Sequence, residues 1–286
     1  MTASTIFPRE RVTVVGVLNT TPDSFSDGGR LVGDRGAVNV DAAVAAAARM
    51  IEAGAQMLDV GGESTRPGAL EIPPAIEIDR TAPVVEALAK RFAVEISIDT
   101  RKPAVAEAAI GAGARIVNDV SGLSFDAALA DIAAAAGASL IVGHLRGTPE
   151  TMQQNPHFDD VLGEVAAELG VSLAVARAAG IPDERLAVDP GIGFGKRLED
   201  NLALLANAGE LGARLGLPVL VGPSRKAFLG SLTGDPVECR DAATAAACAV
   251  AIFAGADAVR VHDVPGAVRA AAVAGALRDA RREAIA

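Results

Sequence analysis

The chain has 286 residues, 50% of them apolar and 22% charged, with a formal net charge of −10; such a balance supports a large core and carries no disorder signature. That acidity, with a pI near 4.9, excludes nucleic acid and anionic membrane as main partners. Cys239 and Cys248 stand in no CxxC arrangement and His144, His157 and His262 are scattered, which excludes a disulfide framework, a zinc site and a His-rich metal cluster. Met1–Arg11 has no apolar stretch of the secretory-signal kind, and the longest apolar run, Ala242–Ala256, is too short to span a bilayer; a cytoplasmic chain with two free thiols is expected.

In chain order, short apolar runs with strand character fall at Thr13–Leu18, Met57–Gly61, Val94–Asp99, Arg115–Asp119, Ser139–His144, Arg185–Asp189, Pro218–Gly222 and Asp257–His262. Helical patterns lie between them at 40–53, 75–91, 103–111, 126–136, 159–179, 199–215, 240–255 and 264–282. An Ala-Gly-Ala tripeptide recurs at 53–55, 112–114, 136–138 and 254–256, each time between an Ala-rich helical run and an apolar one. A glycine that ends a helix and turns into a buried strand explains the repeat. The runs are continuously apolar, as parallel strands covered on both faces require. Strands alternating with helices in this number close most simply as a single (β/α)₈ TIM barrel over residues 1–286, with a doubly wound open sheet as the alternative. The connections from Asn19 to about Gly36 and from Glu63 to about Pro74 are longer than a barrel needs, and both follow strands, so both sit on the catalytic face.

The C-terminal strand ends carry a dense polar set: Asn19; Asp59 with Glu63–Arg66; Asp99; Asn118 and Asp119; His144; Asp189; Ser224–Lys226; Arg260 and His262. Opposite ends of the strands are apolar or Gly/Ala turns, and that asymmetry marks an active-site rim. Asp119 and Ser121 read as turn formers, Glu63 as a loop brace, and His144 as either a structural or a catalytic residue. Asp99 and Asp189 terminate apolar strands, so their carboxylates reach the barrel mouth and need partners. Gly191-Ile-Gly-Phe-Gly-Lys196 matches neither a P-loop nor a dinucleotide turn; it lets backbone approach a flat ligand, with Phe194 packed beside it. Ser224-Arg-Lys226 opens a helix whose unpaired N–H groups suit a carboxylate. Arg260 and His262 project to one side of their strand, and beside Asn19 they form a second anion site suited to pyrophosphate and Mg²⁺.

The segments Asn19–Gly29, Asp59–Gly68, Ser97–Thr100, Asn118–Asp119, Asp189–Lys196, Ser224–Lys226 and Arg260–His262 together resemble the signature loops of the dihydropteroate synthases, in the family order and across essentially the whole chain. The resemblance implies displacement of pyrophosphate from 6-hydroxymethyl-7,8-dihydropterin diphosphate by the amine of p-aminobenzoate, with Mg²⁺ as cofactor and a homodimer as assembly. It assigns Asp99, Asn118, Asp189 and Lys226 to the pterin, and Asn19, Arg260 and His262 to pyrophosphate and metal, Asn19 being the metal ligand. Phe25, Thr65, Arg66, Pro67, Phe194 and Ser224 fall to p-aminobenzoate. Asp27, Asp99, Lys226 and Arg260 are the catalytic candidates, the two aspartates stabilising a pterin-methylene cation. Gly143, Leu145 and Pro223 depart from the family pattern near the pterin floor. A non-catalytic pterin-binding paralogue and a folate-dependent methyltransferase barrel remain the alternatives, the latter having no need of the Ser-Thr-Arg-Pro or Ser-Arg-Lys segments.

Overall fold

The computed structural model describes residues 6–8, 11–21 and 38–285. Its strands are β1 (Thr13–Asn19), β2 (Met57–Gly61), β3 (Glu95–Asp99), β4 (Ile116–Asp119), β5 (Ser139–Gly143), β6 (Leu186–Asp189), β7 (Leu220–Val221) and β8 (Ala258–Val261). They form one parallel sheet in the order β6-β5-β4-β3-β2-β1-β8-β7. A parallel bridge between Val188 and Val219 joins its two edges, backed by Val188 N–H donating to Pro218 O at 3.0 Å. The order never reverses, so the doubly wound alternative is excluded and the sheet is a barrel.

Around it run α1 (Val40–Glu52), α2 (Pro74–Arg91), α3 (Pro103–Ala112), α4 (Ala128–Ala136), α5 (Val161–Ala178), α6 (Leu198–Ala206), α7 (Ala208–Leu215), α8 (Ala227–Thr233), α9 (Asp241–Phe253) and α10 (Val264–Ile285). The helix expected over 199–215 is broken at Asn207, where the backbone leaves helical geometry (φ −123°, ψ 27°). There Gly209 N–H donates to Ala254 O at 2.9 Å, and a Cβ on Gly209 would meet that oxygen at 2.4 Å. Close docking onto the α9–β8 turn thus sets the course of α7.

One large core cluster fills the space between strands and helices. A smaller one, with Val15, Met57, Ile116, Ile141, Ala187 and Ala258, fills the barrel bottom, and Phe7 plugs it from below. Strand side chains alternate, so the next inward residue lies two positions further along. That step turns Met57 into Asp59, Ile116 into Asn118, Ala187 into Asp189 and Ala258 into Arg260. One layer is dry and the next is ionic. Above it, register pairs Asn19 with Gly61, Gly61 with Asp99 and Asp99 with Asn118, so the polar strand ends stand side by side at the mouth.

Candidate active site

A cavity of about 720 Å³ opens over this mouth, within the ordinary range for a small-molecule site. Thr65, Arg66 and Pro67, on the connection after β2, form one wall; Phe194, Ser224 and Lys226 form another; Asn19, Asp99, Arg260 and His262 lie toward the floor. Asn118 and Asp189 do not bound the cavity; Asp189 is held by Arg260 and Asn118 by Asp59. Phe25 and Asp27 fall outside the described residues.

Arg260 is the hub of the ionic layer. Its Nη2 donates to Asp189 Oδ2 at 3.0 Å, and its Nε lies 3.7 Å from Asp59 Oδ2. Asp59 Oδ2 also accepts from Asn118 Nδ2 at 2.9 Å, which leaves the Asn118 oxygen to face elsewhere. Among the described residues Asp59 Oδ1, Asp99 Oδ1, Asn118 Oδ1 and Arg260 Nη1 are buried without a hydrogen-bond partner. Three acceptors and one donor in this state carry a large desolvation penalty unless a ligand supplies matching groups.

The electrostatics agree. Burial, and then the charge of Asp59, push the Asp99 carboxyl well above the usual carboxylate range. Burial also raises Asp59, outweighing Arg260. Lys226 is brought down to about 8 by burial and then by the Arg260 charge. His262 is brought down to about 3 by burial and the nearby Arg225, Lys226 and Arg66, so it is a neutral imidazole at pH 7. The mouth holds its charges only under strain, and a ligand that pairs them relieves it.

The two expected anion sites meet. Ser224 Oγ lies 2.8 Å from His262 Nδ1 and accepts from His262 N–H at 3.1 Å. The N–H groups expected to be unpaired after β7 are partly in use: Arg225 N–H donates to Thr244 Oγ1 at 3.0 Å and Lys226 N–H to Pro223 O at 3.2 Å. The helix itself starts only at Ala227. Side chains, rather than a bare helix end, therefore present the positive charge there. Arg225 itself is held by Asp241 at 2.7 and 2.9 Å, its backbone in the left-handed region (φ 57°).

Among the described residues no group of three or more His, Cys, Asp or Glu could hold a metal. Beside Gly61, however, the missing side chain leaves a gap edged by Asn19 Oδ1 and Asp99 Oδ2, 3.5 and 3.7 Å from where a Cβ would stand. Oxygen donors around an open space suit a hard cation that keeps waters and substrate oxygens in its shell.

Asp119 and Glu63, read as structural, take that part, and His144, left open between structure and catalysis, stands away from the cavity. Asp119 accepts from Ser121 N–H, Ser121 Oγ and Leu123 N–H at 2.8, 2.6 and 2.6 Å. Glu63 accepts from Ile72 N–H at 2.9 Å and Lys102 Nζ at 2.7 Å, closing the base of its loop. His144 is buried between Lys196 Nζ, 2.9 Å from Nδ1, and Glu168 Oε2, 3.0 Å from Nε2, and does not bound the cavity. The departure at Gly143 has a steric cause: a Cβ there would stand 2.7 Å from both Asp119 O and Val120 Cα. Two features went unread in the sequence. Asp59 appeared only as one rim residue, although strand alternation places it inward beneath Gly61. Lys196 appeared only as the end of a glycine turn.

A sequence profile of the pterin binding enzyme family matches residues 15–262. Dihydropteroate synthase from Escherichia coli is 44% identical over 77% of this chain and 75% of its own length, and that from Mycobacterium leprae is 45% identical over 84% of each. This chain belongs to the dihydropteroate synthase family. Solved family structures superpose closely. The Yersinia pestis dihydropteroate synthase in a sulfonamide drug complex is 42% identical, with a TM-score of 0.88 over 94% of this chain and 95% of that one. The Xanthomonas albilineans dihydropteroate synthase in complex with 7,8-dihydropteroate is 41% identical, with a TM-score of 0.81 over 94% of both. The family's barrel and this one thus coincide along the strands that carry the polar mouth.

Proposed function

We propose that this protein is a dihydropteroate synthase: it condenses 6-hydroxymethyl-7,8-dihydropterin diphosphate with p-aminobenzoate to 7,8-dihydropteroate and pyrophosphate. The observation that carries the reading is the set of unpartnered buried acceptors at this end of the barrel, Asp99 bounding the cavity and Asp59 and Asn118 lying behind its lining. A pterin edge, rich in N–H donors, is the complement of such a set. Asp189 joins it once Arg260 turns from the carboxylate toward the diphosphate, and Lys226 stands over the same space.

In the reaction the C–O bond between the pterin methylene and the diphosphate breaks, a C–N bond to the amine forms, and the amine loses a proton. Leaving-group departure first generates a delocalised cation, which the Asp99 carboxylate, with Asp27, stabilises. Arg260 and His262 receive the departing anion, His262 through a neutral N–H. Asn19 is the residue that would hold Mg²⁺, whose chemistry is to offset the diphosphate charge as a Lewis acid. Thr65, Arg66, Pro67, Phe194 and Ser224, with Phe25, hold p-aminobenzoate in line with the methylene, and closing loops exclude water from the cation.

Exposed apolar side chains on α9 and α10, Val250, Phe253, Val273 and Leu277, support a homodimer through that face. We further place the enzyme in the cytoplasm, as one domain; no described helix is long and apolar enough to cross a membrane. The deciding experiment is Mg²⁺- and p-aminobenzoate-dependent pyrophosphate release from the pterin diphosphate, with dihydropteroate identified by mass. Absence of product from a folded protein that binds the pterin would make it a non-catalytic paralogue. Light scattering on the eluted protein tests the dimer.

A further inference from the structure

Lys196 is a buried cation at the cavity that the proposed reaction leaves without a role. It is 4% exposed, borders the cavity, and its Nζ contacts no carboxylate within salt-bridge distance among the described residues. The ammonium instead donates to His144 Nδ1 at 2.9 Å, to Phe194 O at 3.0 Å and, more weakly, to His144 O at 3.5 Å. It therefore links the end of β5 to the carbonyl of one residue in the glycine turn after β6.

That turn needs such a link. Gly191, Gly193 and Gly195 all take positive φ (69°, 80° and 60°), so its backbone has few local restraints of its own. Other bonds hold its neighbours: Gly191 N–H donates to Asp189 Oδ1 at 2.8 Å, Gly193 N–H to Asn201 Oδ1 at 2.6 Å, and Gln153 Nε2 to Gly193 O at 3.0 Å. At Phe194 the carbonyl is met by Lys196. The Phe194 ring in turn lies 3.8 Å beneath Lys226 Nζ, and a Cβ on Gly193 would stand 2.9 Å from Lys226 Cδ. Ring and lysine stem form one packed wall whose seat is fixed from behind.

We propose that Lys196 is a positioning residue for the amine substrate: by tying the Phe194 carbonyl to the end of β5 it sets the Phe194 ring against Lys226 in the p-aminobenzoate pocket. His144 serves as the relay. Its Nδ1 accepts from Lys196 and its Nε2–H donates to Glu168, a carboxylate also held by Arg146. This accounts for a neutral histidine, brought down to about 3 by burial and then by the Lys196 charge. Burial brings Lys196 itself down to about 7, against the opposing charges of Asp189, Glu168 and Asp200 and with that of Arg146, so the link is mainly in its charged form at pH 6.

The inference rests on the proposed activity, and the test separates the two. Steady-state kinetics at pH 6 compare wild type, Lys196→Met, Phe194→Ala and the double variant. Lys196→Met should raise KM for p-aminobenzoate on the order of tenfold, the worth of a lost charge-assisted hydrogen bond, with KM for the pterin diphosphate within about twofold. In the Phe194→Ala background the same substitution should change KM for p-aminobenzoate little, because Lys196 acts through that residue. Additive losses, an equal rise in both Michaelis constants, or an unchanged KM for p-aminobenzoate would each overturn the positioning role. A wild type without turnover overturns the activity, and this inference with it. Lys196→Gln, which keeps one donor for the carbonyl, carries the same comparison if the Met variant does not fold.

Discussion

Two buried ionic regions lie about the same barrel face and behave oppositely. At the base of the loop after β2, Lys102 Nζ donates to Glu63 Oε1, Ile72 O and Glu77 Oε2 at 2.7, 2.7 and 2.8 Å, and Arg101 Nε donates to Glu63 Oε2 at 3.2 Å. Every proton of that ammonium has an acceptor. One oxygen of that network, Glu77 Oε1, is buried without a partner, whereas in the mouth Asp59, Asp99, Asn118 and Arg260 each leave one such atom. The Glu63 carboxyl is held below its ordinary value, burial being outweighed by Lys102, Ile72 N–H and Arg101, although burial raises Glu77 beside it. Asp99 stands well above its ordinary value, raised by burial and by Asp59. The network that is nearly complete within the chain holds structure, whereas the one with four open positions awaits the groups that complete it.

The largest effect should come from breaking the closed network. Lys102→Met strands Glu77 in a dry site and leaves Glu63 with Ile72 N–H and Arg101 alone, and removal of one partner from a buried pair destabilises by about 3–5 kcal/mol. Urea denaturation at pH 7 measures it. A loss below about 1 kcal/mol would put this network in the class of surface pairs and erase the contrast.

Asp99→Asn tests the open one. Turnover should fall by about 10²- to 10³-fold, as for loss of a group aimed at transition-state charge, while stability at pH 7 should not fall. A carboxyl whose folded-state pKa is raised contributes stability below its unfolded value near 3.8 and loses it as pH rises through the folded value. At pH 7 the raised pKa therefore costs the wild type stability, a cost that Asn does not carry. The difference in Tm, variant minus wild type, should be positive at pH 7 and shrink toward pH 4. Glu63 runs the other way: its lowered pKa adds stability above 4.5 that disappears as pH falls through the folded value. A less stable Asp99→Asn variant at pH 7 would mean that the carboxylate is already satisfied.

Asp189→Asn should weaken pterin binding by about 1–3 kcal/mol, since an amide donor then faces the ligand's own N–H groups. Calorimetric titration with a pterin analogue reads it directly. Unchanged affinity would reduce Asp189 to an anchor for Arg260 and Gly191, the two groups it holds here.

How far the sequence foretold this contrast depends on which physics each part uses. Strand positions, their parallel order and the polar rim follow from continuously apolar runs and from the polar residues that end them, so Asp99, Asn118 and Asp189 were legible as a group. Glu63 was legible as a brace because a charged residue opening a long loop needs a partner. Its partners were not, since Lys102 and Glu77 are brought to it only by the packing of α2 and α3. The pairing of Arg260 with Asp189 joins residues 71 apart in sequence, and only closure of the barrel makes them neighbours. Lys196 was hidden for the same reason: its acceptor His144 is 52 residues away. The break at Asn207 reflects a tertiary contact with Ala254, which no helical pattern records.

The smallest effect probes the mouth from inside. Ser224 and His262 are both neutral there and share the 2.8 Å contact at Nδ1, so Ser224→Ala removes a neutral hydrogen bond worth about 0.5–1.5 kcal/mol. The family motif groups Ser224 with p-aminobenzoate, but its contact ties it to the imidazole that would receive the diphosphate. With the two anion sites joined in this way, the variant should raise the Michaelis constants of both substrates by a few-fold, and weaken inhibition by aryl sulfonamides to a similar degree. A rise confined to p-aminobenzoate would mean that the hydroxyl acts on that substrate alone and that His262 keeps its orientation without it. A rise confined to the pterin diphosphate would move Ser224 out of the amine pocket and into the leaving-group site. Comparison with Ser224→Thr, which restores the hydroxyl, separates loss of this bond from a simple change of cavity shape: recovery of both constants requires the bond, and recovery of neither requires the shape.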